Sequence, residues 1–574
     1  MEVYQNYESI QYRDLRQMLR FKAEECGRRI CLRELLEGEA REEITYEALL
    51  HRVEALGAAL WNRGLAGKRI LLMGENGIAW ATIYLAVVCG LGVIVPVDKD
   101  ATVNELLSLA SLSDAEAILY SSACASKVRH LENSLARICF SELGALVEEG
   151  EALLLAGDQR YPDAEINPDA MSVLLFTSGT TEDAKGVMLS HRNLCFNLSE
   201  MCRMFYIDER DVFLSVLPLH HAFECTCGFL CPLSRGATVV FAGGARHLLQ
   251  DLRRASPSIL LCVPVLLEAL YHRITSTLQR NRLQGTVDTA RRMIEALPSE
   301  KLRIAARKKL FAELHKSLGG NLRAVISGGA AADPAVLRGL RELGINAYQG
   351  YGLTECAPLV TLNRDQFYND RSVGLVTPNT LLDVCDLQED GTGEIRFRGD
   401  NVMLGYYKRP DATAGVIRDG WLYTGDLGYL DEQGFLYLTG RKKNVIVTAG
   451  GRNVFPEELE SRLNGTPYIK ESVVIGLYNA KRRDYDLVAL IYPDVEKLTG
   501  ELGGPPEAAR LELEMRKAVT EVNSEVRSYK RLEGYVLRDA PFARNAARKI
   551  RRAGLAEQVK EYTRLRSHSE SSHR

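Results

Sequence analysis

The sequence predicts an α/β protein with a large, multi-part N-terminal body built on buried, mostly parallel sheets, followed by a small α+β C-terminal domain. Three observations carry this expectation. Between Arg69 and Glu355 short apolar runs alternate with longer amphipathic ones, the order that yields parallel strands joined by helical crossovers. Beyond Gly440 that alternation gives way to hairpin-like strands and separate helices. The chain has 574 residues, 46% of them hydrophobic and 26% charged, enough to bury several cores at roughly 100–200 residues per domain.

Strands are expected at 69–73, 117–120, 172–176, 211–215, 238–241 and 322–326, with helices at 44–63, 190–204 and 334–343 among the crossovers. The uncharged stretch from Gly77 to Val95 is long enough to suggest a membrane span. Gly90 and Gly92 interrupt it and a β-rich run ending at Pro96 follows, so a buried helix entering a buried strand is expected instead. Residues 274–318 are rich in Arg, Lys, Leu and Ala and predict a helical pair inserted between two strands. After a strand at 444–447 and a turn at Gly450-Gly451, Pro456 suits the first turn of a helix. Strands at 472–475 and 487–491 and a helix at 508–526 complete the small domain. The expected division is 1–442, 443–566 and a polar tail, 567–574.

Seventy-two Lys and Arg against 75 Asp and Glu leave a net charge of −3, so no global field recruits nucleic acid or an anionic membrane. Any anionic ligand must be held by local groups. The 13 cysteines are odd in number and scattered, and a polar, acidic start stands in place of a secretory leader. A reducing cytoplasm is therefore expected, without a transmembrane segment and with peripheral membrane contact left open. Cys225, Cys227 and Cys231 sit among apolar residues without a paired CxxC and are expected to be buried thiols, not a metal site.

The segment Thr177-Ser-Gly-Thr-Thr-Glu-Asp-Ala-Lys-Gly186 leaves an expected strand and precedes a helix. Its hydroxyls and backbone N–H groups can converge on an anion, which points to a phosphate loop. It is not a Walker loop, since Ala184 and Gly186 stand where that pattern needs Gly and Ser or Thr. In Tyr348-Gln-Gly-Tyr-Gly-Leu-Thr-Glu355, Tyr351 could stack on a base, Thr354 could bond a phosphate oxygen and Glu355 could hold Mg²⁺ through oxygen. Asp426, in Trp421-Leu-Tyr-Thr-Gly-Asp426, suits two vicinal ribose hydroxyls, and a turn or cap residue is the competing reading.

These segments, with Gly440-Arg-Lys-Lys443 and Arg548-Lys-Ile-Arg-Arg552, occur in the order seen in the acyl-adenylate-forming superfamily of acyl-CoA synthetases, luciferases and carrier-loading adenylation domains. The resemblance runs from Ile44-Thr-Tyr-Glu47 to Lys549. It implies a two-step ligase: a carboxylate and ATP give acyl-AMP and pyrophosphate, then a thiol displaces AMP. By the same resemblance Thr177, Ser178, Gly179, Thr180 and Thr181, with Lys185, would hold the β- and γ-phosphates. Tyr351 and Gly352 would lie at adenine, Thr354 at the α-phosphate and Glu355 on Mg²⁺. Asp426 and Arg441 would hold the ribose, and Gly328 and Gly329 would line the adenine and acyl pockets. Lys549 would be the catalytic lysine of the small domain, which by the resemblance is mobile, with Lys443 its hinge and Gly450 and Gly451 the passage for coenzyme A. Two positions depart from the pattern: Glu182 replaces a usual Gly, and Ala547-Arg548 precede Lys549 where Ser or Thr and Gly are usual.

Leu217-Pro-Leu-His-His-Ala-Phe223 resembles the segment that gates the acyl pocket, with His221 at the matching histidine. The insertion at 274–318 resembles that of long-chain fatty acyl-CoA ligases, so a long-chain fatty acid is the expected substrate. Free coenzyme A is the expected thiol, because little chain follows Lys549. A separate acyl carrier protein is the alternative. A non-catalytic nucleotide or acyl sensor would be expected to have lost catalytic side chains, whereas Thr354, Glu355, Asp426, Arg441 and Lys549 are all present.

Overall fold

A computed structural model of the chain describes residues 5–35, 41–177, 184–243, 247–280, 293–294, 296–389, 391–449, 452–544, 550–552, 554–557 and 559. The chain divides into two compact units, one drawn from 1–382, 397–422 and 430–437, the other from 383–396, 423–429 and 438 onward.

The first unit holds two large sheets. In one, the strands Val212–Ser215, Thr238–Phe241, Ile259–Cys262, Ala324–Ser327 and Asn346–Gly352 run parallel, and antiparallel strands close both edges of the nine-stranded array. In the other, Met171–Phe176, Val93–Val97, Arg69–Met73, Ala117–Tyr120 and Ala136–Cys139 run parallel, and Gly186–Ser190 and Gly405–Tyr406 add an antiparallel edge. The apolar runs read from sequence are these parallel strands, buried on both faces. Helices cap them through short polar side chains: Ser190 accepts from the Asn193 N–H at the start of His191–Met204, and Asp333 accepts from Ala335 N–H ahead of Pro334–Glu342.

Two boundaries in this unit differ notably from expectation. Ile44 and Thr45 belong to the strand Arg41–Thr45, and the helix starts at Tyr46 because the Thr45 hydroxyl caps Ala48 N–H. The helix expected to open at Ile274 begins at Pro264, directly after the strand Ile259–Cys262, and continues to Arg280. Helices Glu300–Leu310 and Ala312–Ser317 complete the helical character of that stretch, while residues 281–292 and 295 lie outside the described ones. The uncharged stretch is the buried helix Ile78–Ala86, a wide turn Val87–Leu91 and the strand Val93–Val97. Gly90 has φ +135° in that turn, a conformation that disfavours a side chain. Among the described residues no helix is long and apolar enough to cross a membrane.

In the second unit Ile469–Asn479 and Asp484–Pro493 form a long antiparallel hairpin, with Gly534–Leu537 parallel to its second strand. Helices Pro456–Asn464 and Ala508–Glu525 pack on it through Leu459, Leu463, Met515, Val519 and Val522. Each such side chain contributes about 1.5–3 kcal/mol on burial. The strand expected at 444–447 is only Ile446–Val447, because Lys442–Asn444 close into a tight turn first.

Candidate active site

The phosphate-loop segment leaves the strand Met171–Phe176 and returns as Gly186–Ser190. Thr177 closes its base, donating from its N–H to Lys185 O at 3.0 Å. Ser178, Gly179, Thr180 and Thr181, with Glu182, lie outside the described residues. Lys185 is directed by what comes next to it. The edge strand Gly405–Tyr406 pairs with Val187 and Met188, which brings the Tyr406 ring under the Lys185 ammonium, 4.8 Å from its centroid.

Tyr406 also reaches the Tyr351–Glu355 segment. Its hydroxyl donates to Glu355 Oε1 at 2.9 Å. Burial first, and then the Glu355 charge, push the Tyr406 hydroxyl well above the ordinary tyrosine range, so it stays a proton donor at any working pH. Glu355 sits in the tight turn Thr354–Cys356, held from behind by Met403 N–H to Glu355 O at 2.9 Å. With Oε1 engaged by one hydroxyl, the carboxylate keeps accepting capacity for a hard cation. A single carboxylate beside a hydroxyl fits Mg²⁺ carried in on phosphates, which needs few protein ligands.

Tyr351 and Gly352 end the strand Asn346–Gly352. The Tyr351 side chain is buried, at 9% exposure. Gly352 is required by a close approach: a Cβ there would lie 1.7 Å from Pro358 O. Gly328 and Gly329 follow the strand Ala324–Ser327, and a Cβ on Gly328 would lie 2.8 Å from Phe223 Cζ. His221 stands four residues before Cys225, whose N–H it caps through its carbonyl, and its ring lies 4.2 Å from that of His220. His220 Nε2 is 3.7 Å from Asp98 Oδ2, a separation that would suit an ion pair. Burial and the neighbouring His221 nevertheless hold His220 well below the ordinary histidine range, so it faces Asp98 as a neutral imidazole.

In the second unit Asp426 is buried and forms an ion pair with Arg441, Oδ1 to Nε 2.9 Å. The Asp426 N–H donates to Thr424 Oγ1 at 3.0 Å. Glu394, which the sequence reading did not single out, accepts from Gly425 N–H at 3.1 Å and from Lys442 Nζ at 2.6 Å. It fixes the backbone of the strand Trp421–Leu430, from which Asp426 projects; the turn expected there from the sequence is absent. Cys385, Asp386 and Glu394 cluster closely enough to suggest a metal, but the Lys442 ammonium already lies 3.6 Å from Asp386 and supplies the cation. Lys443 lies in the turn Lys442–Asn444. Gly450, Gly451 and Lys549 lie outside the described residues. None of the 13 cysteines is in a disulfide, and Cys225, Cys227 and Cys231 are buried thiols as expected.

Residues 19–407 match the sequence pattern of the AMP-binding enzyme family, about two thirds of the chain. This chain belongs to that family. The match covers Thr177, Lys185, His221, Gly328, Tyr351, Thr354 and Glu355 and ends just after Tyr406. This AMP-binding enzyme is 29% identical over 470 residues to long-chain-fatty-acid–CoA ligase FadD15 of Mycobacterium bovis, covering 76% of this chain and 75% of the relative. It is 28% identical over 510 residues to long-chain-fatty-acid–CoA ligase 1 of Cavia porcellus, covering 82% and 72%. Its fold is similar to that of the Mycobacterium tuberculosis fatty acyl CoA synthetase, with TM-score 0.66, 23% identity and coverage of 95% and 98%. ATP-bound MatB from Rhodopseudomonas palustris gives TM-score 0.75 at 23% identity, covering 96% and 99%.

Proposed function

We propose that this AMP-binding enzyme is an ATP-dependent acid–thiol ligase that converts a long-chain fatty acid, through acyl-AMP, to its coenzyme A thioester, releasing pyrophosphate and AMP. The observation that carries the reading is the run Lys185, Tyr406, Glu355. A cation from the phosphate-loop segment and a carboxylate from the Tyr351–Glu355 segment share one tyrosine. That arrangement suits a polyphosphate accompanied by a divalent cation. The similarity to long-chain-fatty-acid–CoA ligases supports the acid and the thiol.

In the first half-reaction an oxygen of the acid attacks the α-phosphorus and pyrophosphate leaves; in the second the thiol sulfur attacks the acyl carbon and AMP leaves. Mg²⁺, when bound, would offset phosphate charge. Glu355 would hold it, with Tyr406 fixing the carboxylate. Thr177 to Thr181 and Lys185 would grip the β- and γ-phosphates, Thr354 the α-phosphate and Tyr351 with Gly352 the base. Asp426 and Arg441, already paired, would present one acceptor and one donor to the ribose. Lys549 would bridge the two anions in the first step as their repulsion peaks. Residues 443–566 would act as the mobile domain, turning near Lys443, with Gly450 and Gly451 leaving room for the thiol arm. His221 would stand at the mouth of the acid pocket. Cysteines that form no disulfide suit a reducing, cytoplasmic setting.

The test is pyrophosphate release over carboxylic acids of graded length, with coenzyme A or an acyl carrier protein supplied in turn. Long alkyl acids should outcompete acetate, since each buried CH₂ contributes about 0.8 kcal/mol. Thioester on carrier protein but not on coenzyme A would move the acceptor and leave the adenylation chemistry standing.

A further inference from the structure

Ser215, Cys262 and Ser327 each end one of three neighbouring parallel strands, with Cys262 opposite Ser327 in register. The carboxyl edge of a parallel sheet is where α/β proteins hold ligands. Beside this edge runs the wide helical turn Phe223–Leu230, a geometry that concentrates at functional sites. Its Glu224 is 1% exposed, and neither carboxyl oxygen has a hydrogen-bond partner among the described residues. Ser327 Oγ, fully buried, has none either: the Cys262 thiol opposite it is near enough to feel the hydroxyl but does not reach hydrogen-bond geometry with it. The Ser215 hydroxyl is near enough to ease ionisation of Glu224 but does not reach hydrogen-bond geometry with it. The other titratable groups around the carboxyl are the thiols of Cys225 and Cys227 on its own turn and of Cys262 on the strand.

An unsatisfied buried polar group costs about 1–3 kcal/mol, and a core that needed only to be apolar would place Leu or Met there. Burial pushes the Glu224 carboxyl up to about 8, so at neutral pH it is a neutral acid with one proton to donate. Phe223, one residue earlier, packs against Gly328, which joins this polar group to the glycine segment assigned above to the acyl and adenine pockets.

We propose that Glu224 and Ser327 form a hydrogen-bonding subsite in the wall of the acid pocket, and that the preferred acid is a long-chain acid bearing a hydroxyl group near its carboxyl end. The subsite rests on the ligase reading above. Glu224 donates to the substrate hydroxyl oxygen, and Ser327 Oγ accepts the hydroxyl proton. A plain alkyl acid leaves both groups unpaired and is penalised for it.

The experiment uses the full chain with ATP and Mg²⁺ and follows pyrophosphate release from chain-matched plain, β-hydroxy and ω-hydroxy acids. The wild type should prefer the β-hydroxy acid over the plain one by about tenfold or more in kcat/KM, mostly through KM, and should show no such preference for the ω-hydroxy acid. Glu224→Gln, still able to donate, should keep most of the preference; Glu224→Leu should reverse it. If Glu224→Leu does not fold, Ser327→Ala carries the test and should reduce the preference severalfold. Equal treatment of plain and β-hydroxy acids by the wild type overturns the subsite, as do parallel losses on both acids in the variants. Release of pyrophosphate from no acid at all overturns the ligase reading, and the subsite with it.

Discussion

Tyr406→Phe isolates one atom that ties the phosphate-loop cation to the Glu355 carboxylate. The ring stays under Lys185, so only the hydrogen bond to Glu355 Oε1 is lost. A hydrogen bond to a charged acceptor contributes about 1.5–3 kcal/mol, and a solvent molecule reaching the freed oxygen would recover part of that. The expected outcome is a roughly tenfold fall in acyl-AMP formation, at about 1.4 kcal/mol per factor of ten, with a rightward shift of the Mg²⁺ titration. Glu355→Gln should give a larger loss and a weaker metal dependence, because a neutral amide cannot offset the cation. The double variant should lose less than the product of the two singles, since both act through one contact. Tyr406→Ala should cost more than Tyr406→Phe by the ring's attraction for Lys185, about 0.5–2 kcal/mol. The assay is single-turnover acyl-AMP formation across Mg²⁺ concentrations. Multiplicative losses in the double variant, with an unmoved metal titration in Tyr406→Phe, would refute the link.

Lys549→Ala should depress adenylation by on the order of 10² or more yet retain much of the thioester step from supplied acyl-AMP; equal loss in the two half-reactions counts against a role specific to the first. Gly328→Ala should shift preference toward shorter or narrower acids, because its new methyl meets the Phe223 ring, and Phe223→Ala in the same chain should restore the original preference. An unchanged chain-length profile would separate Gly328 from the acid pocket. Glu224 makes stability depend on pH: its carboxyl titrates near the ordinary 4.5 when unfolded and near 8 when folded. Folding therefore takes up a proton between those values, and stability should fall as pH rises through that window, by up to about 1.4 kcal/mol per unit, then level off. Glu224→Gln lacks this slope, and denaturation midpoints that track the wild type at every pH would refute the assignment.

The parallel strands were legible in the sequence because each is an apolar run short enough to be buried on both faces and bounded by polar turns. Helix starts were less so. Thr45 and Ser190 both cap helices, yet at 44–63 the strand Arg41–Thr45 supplies apolar Ile44 immediately upstream, and periodicity alone merges the two. The Pro264 start was hidden for the opposite reason, since the strand Ile259–Cys262 runs almost directly into its helix. Site residues followed the same division. Glu355, Asp426 and Arg441, proposed as site residues, stand out in the sequence because they lie inside compact motifs. Tyr406 and Glu394 were not, because each acts on a motif from a distance in sequence: Tyr406 reaches Glu355 across 51 positions, and Glu394 reaches Gly425 across 31.

Glu224 belongs to a third class. It stands next to a recognised segment, in Leu217-Pro-Leu-His-His-Ala-Phe223-Glu224, and in sequence it reads as one more acid on a helix, where most such residues are solvated. Only burial changes its meaning. Once the turn Phe223–Leu230 lies against the sheet edge, the same carboxyl loses water and gains no ionic partner among the described residues. Of the two ways a buried acid is tolerated, pairing or neutralisation, the second is the one its surroundings of thiols and hydroxyls allow. A neutral acid is a directional donor, not a charge, and in the proposed subsite it would discriminate among acids by the hydroxyl they carry without repelling the carboxylate they share.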